Sequence, residues 1–228
     1  MITLYEVNNL SALWKALCAI ALGNLLQIFF TKEIDITDSQ FSISSLLVIN
    51  TLLLILQYGI GDSGLISILR LFHKKNVEQD NQKYYQDIIF DGVFIVFHAV
   101  LLILCSKAWT MDINNYDILV TLLSGLNVIW LVLKMDHISD SQEHINVMSP
   151  KSQNNIKICR KALLKGVILN ISFSIISMFI RLHDELIPFE KDMIWAFLLL
   201  IRSVLDLCLC WKYYRLVLNG EYKFKNFV

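Results

Sequence analysis

Apolar residues along this chain gather into six runs, at about 10–30, 43–64, 88–105, 118–133, 162–180 and 193–216, with polar stretches between them. A hydrocarbon core of about 30 Å takes roughly 20 residues of helix at 1.5 Å per residue. The pattern therefore predicts an all-α fold: a polytopic membrane protein, a bundle of about six transmembrane helices forming a single domain over residues 1–228. Lys15, Asn24 and Gln27 interrupt the first run. It has no basic segment ahead of it and no small-x-small cleavage site after Phe30, so it is expected to stay as a helix rather than be removed as a leader.

The basic residues give the runs a direction. The stretch between the second and third runs holds Arg70, Lys74, Lys75 and Lys83. The next one on the same side, 135–161 with its edge at Lys134, adds Lys151, Lys157, Arg160 and Lys161, and the tail adds Lys212, Arg215, Lys223 and Lys225. The alternate stretches hold only Lys32, Lys107, Arg181 and Lys191. Cytoplasmic loops carry the excess of Lys and Arg, so both termini are expected in the cytoplasm, with 135–161 the longest cytoplasmic loop. Trp14, Trp109, Trp195, Trp211, Tyr213 and Tyr214 fall near the ends of runs, where amphipathic rings anchor at headgroup depth.

Composition narrows the function classes. The formal net charge is zero and no basic face is large enough to neutralise many phosphates, so a nucleic-acid partner is not expected. Four of the five cysteines (Cys18, Cys105, Cys208, Cys210) lie in apolar runs and read as small hydrophobes, while Cys159 sits in a basic stretch; no zinc spacing is present. Within 135–161, His137, Asp140 and His144 would share a helical face, but the surrounding Ser, Gln and Asn read as a solvated loop. No metal or cofactor is expected. With two prolines (Pro150 and Pro188, both between runs) and eight glycines, the runs read as straight, Leu/Ile-rich helices.

Charges inside hydrocarbon cost about 2.5–3.5 kcal/mol each on insertion scales, which makes them the place to look for function. Arg202 and Asp206 lie four apart on one face of the sixth run, close enough to pair with each other. Asp91 and His98 lie seven apart on the third run, with Cys105 continuing the stripe; histidine there serves either packing or proton relay. Gly59-Ile60-Gly61-Asp62-Ser63-Gly64 ends the second run, reading either as the exit of the span before an interfacial helix at 65–72 or as a broken helix. If these helices meet, Asp62, Asp91, His98, Arg202 and Asp206 form an intramembrane polar pocket open to the cytoplasm. Thr121, Ser124 and Asn127 on the fourth run, and Asn170, Ser174 and Ser177 on the fifth, read as interhelical hydrogen-bonding stripes.

Phe90-Asp91-Gly92-Val93-Phe94 resembles part of the phenylalanine-serine-aspartate signature of the lysosomal-type potassium channels, whose bacterial members also have six spans. In that family the signature lies on the first helix behind an arginine. Here it lies on the third, Phe90 directly precedes Asp91 and no such arginine stands upstream, so five residues do not assign the chain to the family.

No paired aspartates, Ser–His dyad or metal motif supports an enzyme. Two classes stay open. The first is a non-catalytic integral membrane subunit (sensor, anchor or effector) acting with a cytoplasmic protein or as a homo-oligomer in the lipid bilayer. Its contact surface would be Lys74, Lys75, Lys157, Arg160, Lys161, Lys212 and Arg215. A bacterial cytoplasmic (inner) membrane is the expected location, and the AT-rich bias of the composition suggests a setting such as a defence or toxin–immunity operon. The second is a small-ion channel or transporter subunit that uses the polar pocket.

Overall fold

The structure is a computed structural model. It describes residues 4–31, 39–76, 81–108, 113–140, 150–182 and 191–219, with side chains described for 12–28, 30–31, 43–61, 89–107, 115–136, 150–182 and 192–219. Within these residues the chain is helical throughout. The helices are α1 (Leu4–Thr31), α2 (Ser39–Asn76), α3 (Asn81–Ala108), α4 (Ile113–Asp140), α5 (Pro150–Leu182), α6 (Lys191–Leu209) and α7 (Trp211–Leu218). Among the described residues, four stretches are long and apolar enough to cross a membrane: Ile43–Gly61, Ile89–Lys107, Asn115–Asp136 and Pro150–Leu182. A fifth is added if α6 and α7 count as one bent span, and the apolar part of α1, Ala12–Ile28, is shorter.

What faces outward supports the membrane reading. Between 28% and 44% of each of the four stretches is buried inside the protein, and the outer faces carry residues such as Phe97, Ile168, Ile175, Met178 and Phe179. A water-soluble monomer does not leave an apolar belt of this extent uncovered. The interior, conversely, holds Asn50, Thr51, Gln57, Asp91, Asp117, Asn170, Arg202 and Asp206, the arrangement of a bundle solvated by lipid.

Neighbouring helices close a ring in the order α1, α3, α4, α5, α6, α2 and back to α1. Trp14, Leu25, Leu54, Ile95, Leu102, Leu123 and Trp130 fill its core. α4 and α5 approach closely at Gly166, where an added Cβ would meet Leu131 Cδ1 at 3.1 Å.

The helices depart from the sequence pattern at three places. α2 runs unbroken through the glycine string to Asn76, so the chain neither unwinds there nor restarts as a separate interfacial helix. Much of 135–161 is helical rather than loop: α4 continues to Asp140 and α5 begins at Pro150. A proline is well placed at a first helical position, since its missing N–H had no partner to lose. The sixth run is not straight: α6 and α7 meet at 66° around Cys210.

The aromatic anchors also divide. Trp211 is exposed, but Trp14 and Trp195 are core residues, at 0% and 3% exposure, and Tyr213 and Tyr214 are buried. The side chain of Trp109 lies outside the described residues. Trp14 spends its indole N–H on the Tyr58 carbonyl at 3.0 Å, a bond that ties α1 to α2.

Candidate intramembrane polar site

Arg202 and Asp206 lie one turn apart on the inner face of α6, where α2, α4, α5 and α7 enclose a cavity of about 50 Å³. They do not satisfy each other through an ion-pair contact. Arg202 donates from Nη1 to Gln57 Oε1 at 3.3 Å and from Nη2 to Asn170 Oδ1. Asp206 accepts from the Tyr214 hydroxyl, and Cys210 Sγ lies 3.8 Å from its Oδ1. The guanidinium thus ties α6 to α2 and α5, and the carboxylate ties it to α7.

The bend at Cys210 makes the second tie possible. Eight residues of straight helix would separate Asp206 and Tyr214 by about 12 Å along the axis. Instead, the amides of Tyr213 and Tyr214 both turn to the Cys210 carbonyl, at 2.8 and 3.1 Å. α7 then folds back under the cavity. Tyr213 donates its hydroxyl to the Gly61 carbonyl at 2.5 Å, and both tyrosine rings pack over that glycine, 3.4 Å (Tyr214) and 3.9 Å (Tyr213) from where a Cβ would stand.

From Arg202 a line of hydrogen bonds continues toward the start of α4. Gln57 donates to the Ser203 carbonyl, and Ser203 Oγ lies 2.6 Å from Asn50 Oδ1. Asn50 Nδ2 then donates to the Tyr116 hydroxyl at 2.9 Å, and Thr51 Oγ1 shares that hydroxyl at 2.7 Å. All of these residues are buried. Buried polar groups that are fully paired fix a single packing of the helices that carry them.

Asp91 and His98 do not line this cavity. Asp91 pairs with Lys134 of α4 and accepts the Trp130 indole N–H at 3.2 Å. Lys134, read from sequence as a loop charge, is buried. His98 sits among rings of four helices: Tyr58 at 5.5 Å between centroids, Trp130 at 5.8 Å, Phe94 at 6.4 Å and Trp14 at 6.5 Å. Its Nε2 has no hydrogen-bond partner among the described residues. Its link to the cavity is indirect, through Tyr58, which lines that cavity. The side chain of Asp62 lies outside the described residues, as do those of Lys74, Lys75, His137, Asp140 and His144.

Sequence reasoning missed two ion pairs. Besides Asp91–Lys134, Arg181 of α5 binds Asp117 of α4, and Ser177 Oγ joins the same carboxylate at 3.3 Å. Ser177 also lies 3.1 Å from Thr121 Oγ1, so two residues of the expected polar stripes do meet across α4 and α5. A signal for both pairs was available: in each, opposite charges stand at matching depths on consecutive antiparallel runs, one near a start and one near an end.

At the end of the bundle where α7 lies, Lys157, Arg160 and Lys161 of α5 are exposed, as are Lys212 and Arg215 of α7. α5 and α7 pack on one another at this end. Comparison with protein-family models, with curated proteins and with solved structures finds no match to this chain.

Proposed function

We propose that this chain is a six-span protein of the bacterial cytoplasmic membrane with both termini inside, acting as a non-catalytic subunit through an acidic cytoplasmic protein partner. One observation carries the reading. The charges inside the bundle are engaged by neighbouring helices, whereas Lys157, Arg160, Lys161, Lys212 and Arg215 are exposed at the α5 and α7 end and make no side-chain bond among the described residues. The excess of Lys and Arg on that side supports the cytoplasmic assignment.

Sidedness and span number are tested by reporter fusions at each terminus and within residues 32–38, 109–112 and 183–190. Periplasmic signal is expected at the three internal sites and cytoplasmic signal at both ends; any reversal overturns the six-span reading. The partner surface is tested by reversing the five charges to glutamate and measuring co-purification from native membranes. Recovery of the partner is expected to fall by roughly tenfold or more, and to weaken with added salt in the wild type, because rim charges act through screened attraction. Recovery unchanged by reversal would rule out this face.

A second reading, a small-ion channel or transporter subunit, is favoured by the cavity itself, because Arg202 Nε and Asn127 Oδ1 lie buried without a hydrogen-bond partner among the described residues. Its test is ion flux in proteoliposomes, with Asp206→Asn expected to abolish it.

A further inference from the structure

Two buried polar atoms at the cavity point to an occupant. Arg202 is 4% exposed and Asn127 9% exposed; both line the cavity, and Nε of the arginine and Oδ1 of the amide make no well-formed hydrogen bond among the described residues, with the Tyr58 side chain beside the guanidinium. Leaving a buried donor or acceptor unmade costs more than a hydrogen bond contributes, so native structures bring in water at such points. The cavity, at about 50 Å³, has room for more than one molecule, since a water needs only ~10–15 Å³ of such space. It also presents what water requires: a donor at Arg202 Nε, an acceptor at Asn127 Oδ1 and the carboxylate of Asp206. The wall carries charge of both signs, Arg202 and Asp206, which suits a neutral molecule with both donor and acceptor better than a bare ion.

One wall of the cavity is built by the α7 side. Tyr213, Tyr214, Gly61 and Cys210 form that wall, and two hydrogen bonds close it: Tyr213 to the Gly61 carbonyl and Tyr214 to Asp206. We propose that the cavity is a water-binding site joining Arg202, Asn127 and Asp206, and that the α6–α7 elbow is its latch, held shut by the two tyrosine hydroxyls. The inference is independent of any cytoplasmic partner.

Cys210 supplies a reporter, because its thiol lies in the cavity wall. In lipid nanodiscs, protein with Cys18, Cys105, Cys159 and Cys208 replaced by alanine is treated with a small charged methanethiosulfonate. Labelling of Cys210 is expected to be slow, and Tyr213→Phe with Tyr214→Phe is expected to speed it by roughly tenfold or more, as the loss of two hydrogen bonds implies. A companion protein keeping only Cys105, which is fully buried, should stay unreactive in the same background. An unchanged rate at Cys210, or a parallel rise at Cys105, overturns the latch. Occupancy is read from Asn127→Leu: removing an acceptor that holds water should lower the thermal midpoint by about 2–4 °C. A raised midpoint means a dry cavity and overturns the water site.

Discussion

Replacing Lys134 with methionine is expected to destabilise the bundle by roughly 3–5 kcal/mol, the usual consequence of stranding a buried charge. Asp91 is 7% exposed, and Lys134 is the cation in contact with it; the remaining described bond is the Trp130 indole N–H. One neutral donor cannot replace an ammonium in a low-dielectric interior. Asp91→Asn should cost less. The abandoned lysine keeps a four-carbon stem that can carry its head toward the nearby polar boundary, whereas a carboxylate on a short stem has no such reach. The double variant, Lys134→Met with Asp91→Leu, should recover most of the loss, because a well-packed apolar pair needs no desolvation to be repaid. Chemical unfolding in detergent micelles measures all three. A double variant as unstable as Lys134→Met would mean that the pair supplies net stability rather than registering α3 against α4.

The all-α membrane-type fold was legible because its cause is local. Twenty consecutive apolar residues carry their meaning whatever surrounds them, and four of the six runs coincide with stretches of Ile43–Gly61, Ile89–Lys107, Asn115–Asp136 and Pro150–Leu182. The ends of the helices were less legible. Polar residues beyond Lys134 or before Ala162 look like loop in a hydropathy pattern, yet helix formation in water is compatible with them, and α4 and α5 continue past the apolar boundary. The bend at Cys210 had no sequence cue, as neither proline nor glycine stands there, and the contacts that exploit it come from Gly61, distant in the chain.

The site was legible only in part, for a related reason. Expensive residues could be named from α6 alone, and Arg202 and Asp206 do share a cavity. Their partners could not be matched to them: Asn170 was read only as part of a polar stripe, and Gln57, uncharged and on another helix, was not singled out. Spacing of four suggested that Arg202 and Asp206 satisfy each other, but neutral amides from α2 and α5 reach the guanidinium and a phenol from α7 reaches the carboxylate. Asp91 was grouped with the charges of the sixth run, whereas its ion pair is with Lys134 of α4. Position along the bundle brings it level with Lys134 of the neighbouring helix, and that constraint is stronger than membership of a common polar stripe.

His98→Phe should leave stability within about 1 kcal/mol of wild type, while His98→Ala should cost roughly 2–5 kcal/mol. The ring is 1% exposed, and aromatic side chains from α1, α2, α3 and α4 surround it at 5.5–6.5 Å. Aromatic pairs contribute about 0.5–1.5 kcal/mol each beyond their buried area, so truncation forfeits several such contacts and leaves a void between four helices. Phenylalanine keeps the ring and removes an Nε2 that has no partner among the described residues. α1 should loosen first in the alanine variant, since Trp14 is one of its ties to the bundle, and Cys18, buried on the same helix, reports this through thiol labelling. The pair of substitutions also separates packing from proton relay. A relay histidine would lose its function in the phenylalanine variant while the protein stayed folded. If phenylalanine costs as much stability as alanine, the polar edge of His98 rather than its ring holds the four helices together, and the packing account of this residue fails.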